Sequence, residues 1–515
     1  VGSLDGGMGM NYFVGAYLNA QLTGIEKAQV NRVKLFTDAG WPARCLYTKY
    51  NPKIHENATK FGLQGRCFTL YDYFQEATDD EVVAKDWVAY WQTVCQFKLD
   101  FVDIAPDIRI HDDQGRYVAY AHFATPTYEQ LVYVNYFDSD HQKVKRDIYD
   151  SRGFLSQTKF LKEHQRVQAE IFFNRRGQVK IEKTYQVVNE QTVLKRIVLK
   201  DFQQRDWFFN AEEEFQTFFF NTLYEKGDLY FCDKNGYIGQ AMANTADEVK
   251  VCAVFHSTHA RQQTDVLGSP LKSSYRVPLS QPEKFDRFVV STALQKQDLM
   301  ARFDQLPPID VIPVGYIQPT TVNLQQKQPH RIIGVARFSP EKQVLHQIQV
   351  VERLVAEFPD VELHLFGFGS RPEEQKLRDY VRTHGLEHHV FFRGFVTDLS
   401  AEYAQASLQM VTSNEEGFSL ATLEALSFAV PVISYDIRYG PTELIEDGVN
   451  GNLVARDSVD SLYQKVRSYL QDPHLQKMYM ENSLRLAKRY TEAATKDKWQ
   501  ALLSAMAGSR ESKIG

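Results

Sequence analysis

Cysteine is scarce in this chain, and that narrows its class. Its 515 residues hold five cysteines, Cys45, Cys67, Cys95, Cys232 and Cys252, an odd and scattered set with no C-x-x-C spacing. A disulfide framework and a zinc site are thereby disfavoured, and a reducing, cytoplasmic setting is the default. No apolar run reaches the roughly 20 residues that cross a bilayer, which excludes an integral membrane protein built on such helices. No internal repeat or low-complexity tract interrupts the sequence, so solenoids and disordered chains are out as well. Positive charge is not in excess: 59 Lys and Arg stand against 65 Asp and Glu, a net charge of −6. Such a balance makes a poor general nucleic-acid binder and leaves only local basic patches. No divalent-metal motif stands out as needed, because Asp79-Asp80 and Asp112-Asp113 read as turn residues.

What remains is a globular composition, 43% hydrophobic and 24% charged, long enough for two or three domains. Aromatic residues reach 13%, with 27 Tyr and 34 Phe, which suits large aromatic-rich sheets or an extended contact surface. Residues 1–9 carry no periodic apolar pattern and read as a linker ahead of a natural start at Met10, so Gly6, Gly7 and Gly9 are not taken as a phosphate loop. From Tyr12 a buried strand, a loop, a helix over Ile25 to Asp38 capped by Thr23, and a strand at Arg44 to Thr48 open a parallel α/β sheet. Between Leu70 and Asp206 the texture turns to hairpins, for example Ile108–Ile110 with Tyr117–Tyr120 and Ile171–Phe173 with Val179–Ile181. One helix is expected there, over Val82 to Cys95. After the polar link Thr320 to Pro329, strands at 331–336, 362–366, 390–392, 408–412 and 432–434 alternate with helical patterns. The expected organisation is an N-terminal Rossmann-like domain (10–70 and 207–322), an inserted antiparallel β-domain (71–206), a C-terminal Rossmann-like domain (323–488) and a C-terminal helix (489–515). Ligands of such sheets bind at the carboxyl ends of the strands, in a cleft that the two α/β domains face.

Two stretches carry chemistry. In Thr412-Ser413-Asn414-Glu415-Glu416-Gly417-Phe418-Ser419-Leu420 a strand ends, a glycine-containing loop follows and a helix starts; amides at a helix start suit a phosphate. Glu424, further into that helix, can accept from ribose hydroxyls, and Glu416 can fix sugar hydroxyls. An acidic loop followed by a helix cap explains the same residues. In Arg337-Phe338-Ser339-Pro340-Glu341-Lys342, also past a strand end, two cations five positions apart can grip a diphosphate and neutralise a leaving group. Each cation alone also reads as a solvated surface charge.

Together these stretches resemble retaining, nucleotide-sugar-dependent glycosyltransferases of the GT-B fold: arginine plus lysine after the first strand of the C-terminal domain, then Glu-x7-Glu as Glu416 and Glu424. The likeness covers roughly Tyr12 to Leu70 and Ala211 to Arg489. Within that group the chain is similar to the bacterial accessory-secretion glycosyltransferases that begin O-glycosylation of serine-rich adhesins. The residues that carry this are Thr23-Gly24-Ile25-Glu26-Lys27-Ala28-Gln29, Phe255-His256-Ser257-Thr258-His259, Phe288–Thr292 with Val311–Gly315, and Tyr435–Gly440. The inserted β-domain agrees, and is shared with teichoic-acid α-glycosyltransferases, which Tyr439-Gly440-Pro441 resembles more.

The resemblance implies roles. Arg337 and Lys342 hold the donor diphosphate, amides of Phe418, Ser419 and Leu420 complete its cradle, Gly417 is a further donor-binding residue, and Glu424 binds the ribose. Glu416 lies by the transferred sugar and His256 approaches it, although a lone histidine at a strand end also reads as structural. Thr23 and Gly24 line the loop near acceptor and phosphates, while Gly367 and Arg393 flank the base. It further implies transfer of GlcNAc or glucose from a UDP-sugar to Ser/Thr hydroxyls of a serine-rich polypeptide, or to a poly(glycerol- or ribitol-phosphate) teichoic polymer. UDP-sugar is then a substrate, with no cofactor and no metal. A homologous non-catalytic subunit docking through the insert, a cytoplasmic location at the inner membrane face and peripheral membrane association belong to the same picture. A different class, a non-catalytic acceptor-binding subunit, is opposed by the presence of Arg337, Lys342, Glu416 and Glu424.

Overall fold

The structure, a computed structural model, describes residues 9–508 except residue 319. Residues 1–8 of the expected linker and residues 509–515 of the expected C-terminal helix lie outside the described residues. The chain divides into two compact units, one ending at Val251 and the other beginning at Cys252.

In the first unit the strand Asn11–Gly15 is buried along its whole length. It pairs in parallel with Ala43–Tyr47 on one side and Leu229–Cys232 on the other, and Cys67–Thr69 extends the sheet beyond Ala43–Tyr47. The helix Gly24–Asp38 follows the first strand. Thr23 is its N-cap in a capping box with Glu26, whose carboxylate accepts from the Thr23 amide at 2.9 Å. Its apolar face buries Ala28, Val33, Leu35 and Phe36, and Phe36 meets Phe13 edge-on with ring centres 5.0 Å apart. A buried ion pair between Arg32 and Asp233, 3.2 Å, ties the helix to the end of Leu229–Cys232.

The insert is a ten-stranded antiparallel meander running from Lys98–Phe101 to Arg205–Phe209, each strand paired with its sequence neighbours. Alternating burial drives it: Ala119, Ala121 and Phe123 point inward from Tyr117–Phe123 and pack with Trp91, Ile108, Ile110, Leu131 and Val134. The helix expected over Val82 to Cys95 is shorter, Trp87–Thr93. Asp86 caps it by accepting from the Ala89 amide at 2.8 Å, while the Val83 amide instead donates to the Arg152 carbonyl at 2.7 Å. Strands Lys143–Tyr149 and Leu155–Lys162 escaped the hydrophobic pattern because the latter buries Ser156, Gln157 and Thr158. Partners from elsewhere in the chain make this burial possible: Thr158 donates to Asp147 at 2.5 Å, Gln157 to Glu170 at 3.1 Å, and Ser156 accepts from Gln75 at 3.2 Å.

A polar seam joins insert and α/β part within this unit. The buried Arg152 guanidinium reaches Asp72 and Asp150, each at 2.7 Å, and His55 lies 3.3 Å from Asp72. Burial opposes ionisation of Asp72, but hydrogen bonding from His55 and the charge of Arg152 outweigh it and hold the carboxyl below its ordinary range. Burial likewise works against a charged His55, yet the hydrogen bond and charge of Asp72 leave it above its ordinary value.

The second unit holds two parallel systems. Val251–Val254, Arg287–Val290 and Ile309–Val311 pair in that order. The six-stranded sheet runs Val390–Gly394, Glu362–Phe366, Gln328–Val335, Ala406–Val411, Val432–Tyr435, Gly451–Val454. In chain order that is 3-2-1-4-5-6, the doubly wound Rossmann arrangement. One face packs Val344–Leu354, Arg371–Thr383 and Val459–Gln471 through Ile348, Val351, Leu377 and Val466. The other packs Ser400–Gln405 and Leu420–Ser427 through Tyr403, Leu423 and Leu426. The chain order reverses between Gln328–Val335 and Ala406–Val411, so the loops leaving these two strands open side by side at the switch point. The helix Glu492–Gly508 closes the described chain.

Candidate active site

Those two loops are the ones that carry the cations and the acidic turn. Lys342 ends the short helical turn Pro340–Lys342, and its ammonium lies 2.7 Å from Glu416 Oε1. The same carboxylate oxygen accepts from Ser413 Oγ at 2.7 Å. Both members of the pair are largely shielded, with side chains 15% and 17% exposed, so the attraction is less screened than at an open surface. Arg337 is exposed and pairs with Glu341 at 2.8 Å. Burial alone would raise the Glu341 carboxyl, but Ser339 and the charges of Arg337 and Lys342 hold it below its ordinary value. The loops are stitched by backbone as well: the Asn414 amide donates to the Glu341 carbonyl at 2.7 Å and Thr412 Oγ1 to the Lys342 carbonyl at 2.9 Å.

Each loop contains a non-glycine residue with left-handed backbone, Gln343 (φ 46°) and Ser419 (φ 68°), strain of the kind that surrounding structure must over-determine and that clusters at functional sites. Ser419 opens the helix Leu420–Ser427, with its hydroxyl 2.7 Å from Thr422 Oγ1. Among the described residues the main-chain amides of Gly417, Phe418, Ser419 and Leu420 meet no hydrogen-bond acceptor. A buried turn with its amides left over, at a helix start and beside a lysine, is suited to an anion.

His256 enters this site through its backbone. A Cβ on Gly417 would lie 2.0 Å from the His256 carbonyl oxygen, so only glycine fits there. The His256 and Ser257 amides both donate to the Tyr275 hydroxyl at 2.9 Å, which fixes that backbone. Gly367 adjoins the arginine loop: its φ of 145° is open to glycine alone, and a Cβ would lie 1.8 Å from the Ala336 carbonyl oxygen. Arg393 points elsewhere, donating to His364 at 3.1 Å with its guanidinium 4.9 Å from the Phe391 ring centre. Glu424 is half-buried on Leu420–Ser427. Thr23 and Gly24 belong to the first unit, where Thr23 caps its helix and a Cβ on Gly24 would meet nothing within 4 Å.

Lys272 carried no sequence signal, and Tyr439, Gly440 and His259 entered the sequence reading only through the resemblance, because the partners of all four are remote in the chain. Lys272 pairs with Glu415, next to Glu416. The Tyr439 amide donates to the Glu416 carbonyl at 2.9 Å, and a Cβ on Gly440 would lie 2.3 Å from the Phe418 carbonyl carbon. His259, wholly buried, is pushed down to about 4 by that burial and by the charges of Arg302 and Arg438, against a hydrogen bond to the Val266 carbonyl. Among the described residues no group of three or more His, Cys, Asp or Glu is placed to hold a metal ion. Asp138-Ser139-Asp140 spends an Asp138 carboxylate oxygen on the Asp140 and Gln142 amides of its own hairpin turn, at 3.0 and 2.9 Å. Among the described residues, no helix is long and apolar enough to cross a membrane.

Comparison with known proteins gives the site a context. The family model described as Glycosyl transferases group 1 matches residues 321–486, the segment that holds both loops. The chain is 25% identical over 502 residues, 93% of its length and 96% of the relative's, to a UDP-N-acetylglucosamine–peptide N-acetylglucosaminyltransferase GtfA subunit of Streptococcus gordonii. It is 22% identical over 501 residues, 95% of its length and 98% of the relative's, to a poly(ribitol-phosphate) alpha-N-acetylglucosaminyltransferase of Staphylococcus aureus. The crystal structure of the pneumococcal O-GlcNAc transferase GtfA in complex with UDP and GlcNAc shares the fold with a TM-score of 0.83 at 20% identity, over 97% of this chain and 99% of that one.

Proposed function

We propose, from the premise that this chain is a GT-B glycosyltransferase related to the accessory-secretion enzymes, that it moves N-acetylglucosamine or glucose from a UDP-sugar to Ser/Thr hydroxyls of a serine-rich polypeptide. The observation that carries the reading is the Lys342–Glu416 pair, 2.7 Å, beside a turn of unpartnered amides at the sheet's switch point. Breaking the bond between the anomeric carbon and the diphosphate oxygen builds negative charge on the diphosphate and positive charge on the sugar. Lys342, Arg337 and the amides of Gly417 to Leu420 then stabilise the departing diphosphate, which is where preorganised charge acts most strongly. Glu416 lies against the transferred sugar, Glu424 accepts from the ribose, and the base is flanked by the backbone around Gly367 and Arg393 rather than by the Arg393 guanidinium, which is spent on His364. The acceptor oxygen attacks from the face the diphosphate leaves, and its proton passes to a diphosphate oxygen, so the anomeric configuration is retained.

A second reading takes a teichoic polymer as acceptor. It is favoured by Tyr439-Gly440-Pro441 and by the end-to-end similarity to the staphylococcal enzyme. The streptococcal relative is a subunit, which supports a partner for this chain, and the inserted sheet is the natural dock for it. The setting that fits a UDP-sugar donor is the cytoplasm, at the inner face of the membrane. Incubation with UDP-GlcNAc or UDP-glucose and either a Ser-rich polypeptide or a teichoic polymer, followed by mass spectrometry, tests this. A hexose or N-acetylhexosamine added to the polypeptide is expected. Addition to the polymer alone selects the second reading, and neither donor being consumed overturns both.

A further inference from the structure

Glu416 is held from both ends. Its carboxylate meets Lys342 and Ser413, and its carbonyl accepts from the Tyr439 amide at 2.9 Å. The peptide group that supplies this amide, Arg438–Tyr439, is itself engaged: the Arg438 carbonyl accepts from Gln263 Nε2 at 2.8 Å. Gln263 is buried, 8% exposed, on the segment that follows His256, 175 residues away from Arg438 in the chain. One peptide group therefore passes a hydrogen bond from a buried side-chain amide to the carbonyl of Glu416, and each bond polarises the next. Because a peptide unit is planar, fixing the Glu416 carbonyl also fixes the Gly417 amide in the same plane. That amide is the first of the four left over for an anion. The surroundings brace the relay: Arg438 pairs with Asp298 at 3.2 Å, and the buried Tyr439 hydroxyl lies 3.5 Å from His259 Nδ1. Since His259 Nε2 faces the Val266 carbonyl at 3.2 Å, it carries the proton and Nδ1 is the acceptor.

We propose that Gln263 is a positioning residue for the donor site: by donating to the Arg438 carbonyl it sets the Tyr439 amide on Glu416 and so aims the Gly417 amide at the donor diphosphate. The inference rests on the reading of this site as a UDP-sugar site and adds a residue that touches neither donor nor acceptor. The relay should bear on donor affinity first, because it orients the cradle, whereas the acceptor meets other parts of the protein.

The test compares the full-length protein with Gln263→Met, which keeps the volume and loses the donor, and Gln263→Glu, which keeps the shape and loses the donor only while ionised. UDP affinity is measured by calorimetry, and KM and kcat for UDP-sugar hydrolysis across pH 5 to 8 are compared with the wild type at each pH. Losing one such bond is worth on the order of 3- to 10-fold. Gln263→Met should raise the donor KM and the UDP dissociation constant by that factor at every pH, with a wild-type circular dichroism spectrum. Gln263→Glu should show a larger loss at pH 8 that shrinks toward pH 5, because a protonated carboxyl can again donate to the Arg438 carbonyl. A role in packing alone gives no such pH-dependent recovery. Equal donor KM in all three proteins, or a Gln263→Glu defect that does not change with pH, overturns the proposal. A wild-type chain that fails to bind UDP overturns instead the reading beneath it, so the two failures are distinguishable.

Discussion

Removing the ammonium of Lys342 perturbs the site at its electrostatic centre, and the consequence separates into two magnitudes. The first concerns the fold. Lys342→Ala leaves Glu416, 17% exposed, with Ser413 as its remaining side-chain partner. A partly buried carboxylate that loses one charged partner costs about 1–3 kcal/mol. At about 2–4 °C per kcal/mol for a domain of this size, the melting temperature should fall by roughly 2–12 °C and the protein should stay folded at 25 °C. The second concerns the reaction. An ammonium about 4 Å from a departing phosphate oxygen contributes about 4 kcal/mol at an effective dielectric near 20. Its attraction to Glu416 offsets part of this, so a loss of roughly 100- to 1,000-fold in kcat/KM is expected, the range seen when one preorganised donor is removed from a developing anion. Lys342→Arg should recover only part, because a planar guanidinium cannot occupy the same point. The assay is UDP release from the UDP-sugar with and without acceptor, alongside a thermal melt. A kcat/KM within about threefold of wild type in a folded Lys342→Ala protein refutes the electrostatic argument.

Two further perturbations probe the close approaches and the seam. Gly417→Ala places a Cβ 2.0 Å from the His256 carbonyl oxygen, and neither backbone can yield cheaply, so donor turnover should be lost in a chain that still folds, read by the same UDP assay and circular dichroism. The depressed carboxyl of Asp72 contributes stability that is complete above the ordinary carboxylate value of about 3.9 and disappears as pH falls through its lower folded value. His55, held above its ordinary value of about 6.5, adds stability below that value that fades as pH rises past the raised one. Melting curves between pH 2.5 and 9 should show both limbs, and Asp72→Asn should flatten the acid one.

The parts of this architecture written in local sequence are those where one face of an element is apolar and the other is not. Ala28, Val33 and Phe36 announce the helix Gly24–Asp38, and the alternation in Tyr117–Phe123 announces the insert. Leu155–Lys162 is hidden because its buried side chains are polar and become compatible with burial only beside Asp147 and Glu170, which other strands supply. At the site, Arg337, Lys342, Glu416 and Gly417 are legible because strand-end loops with charge and glycine form a local pattern. What such a pattern does not contain is the pairing itself: that Lys342 meets Glu416, that the backbone of His256 makes Gly417 obligatory, and that Gln263 reaches Arg438 are products of chain reversals over 74 to 175 residues. Gly24 shows the converse, a motif glycine whose surroundings leave room for a side chain.

The central claim is that the switch-point turn and its lysine hold a nucleotide by its diphosphate, and calorimetric titration of the wild-type protein with UDP and, separately, with uridine tests it most directly. Tight binding of UDP with at least about 100-fold weaker binding of uridine, the equivalent of two charge-assisted contacts, is the predicted result. Equal affinity for the two, or no binding of either, contradicts it.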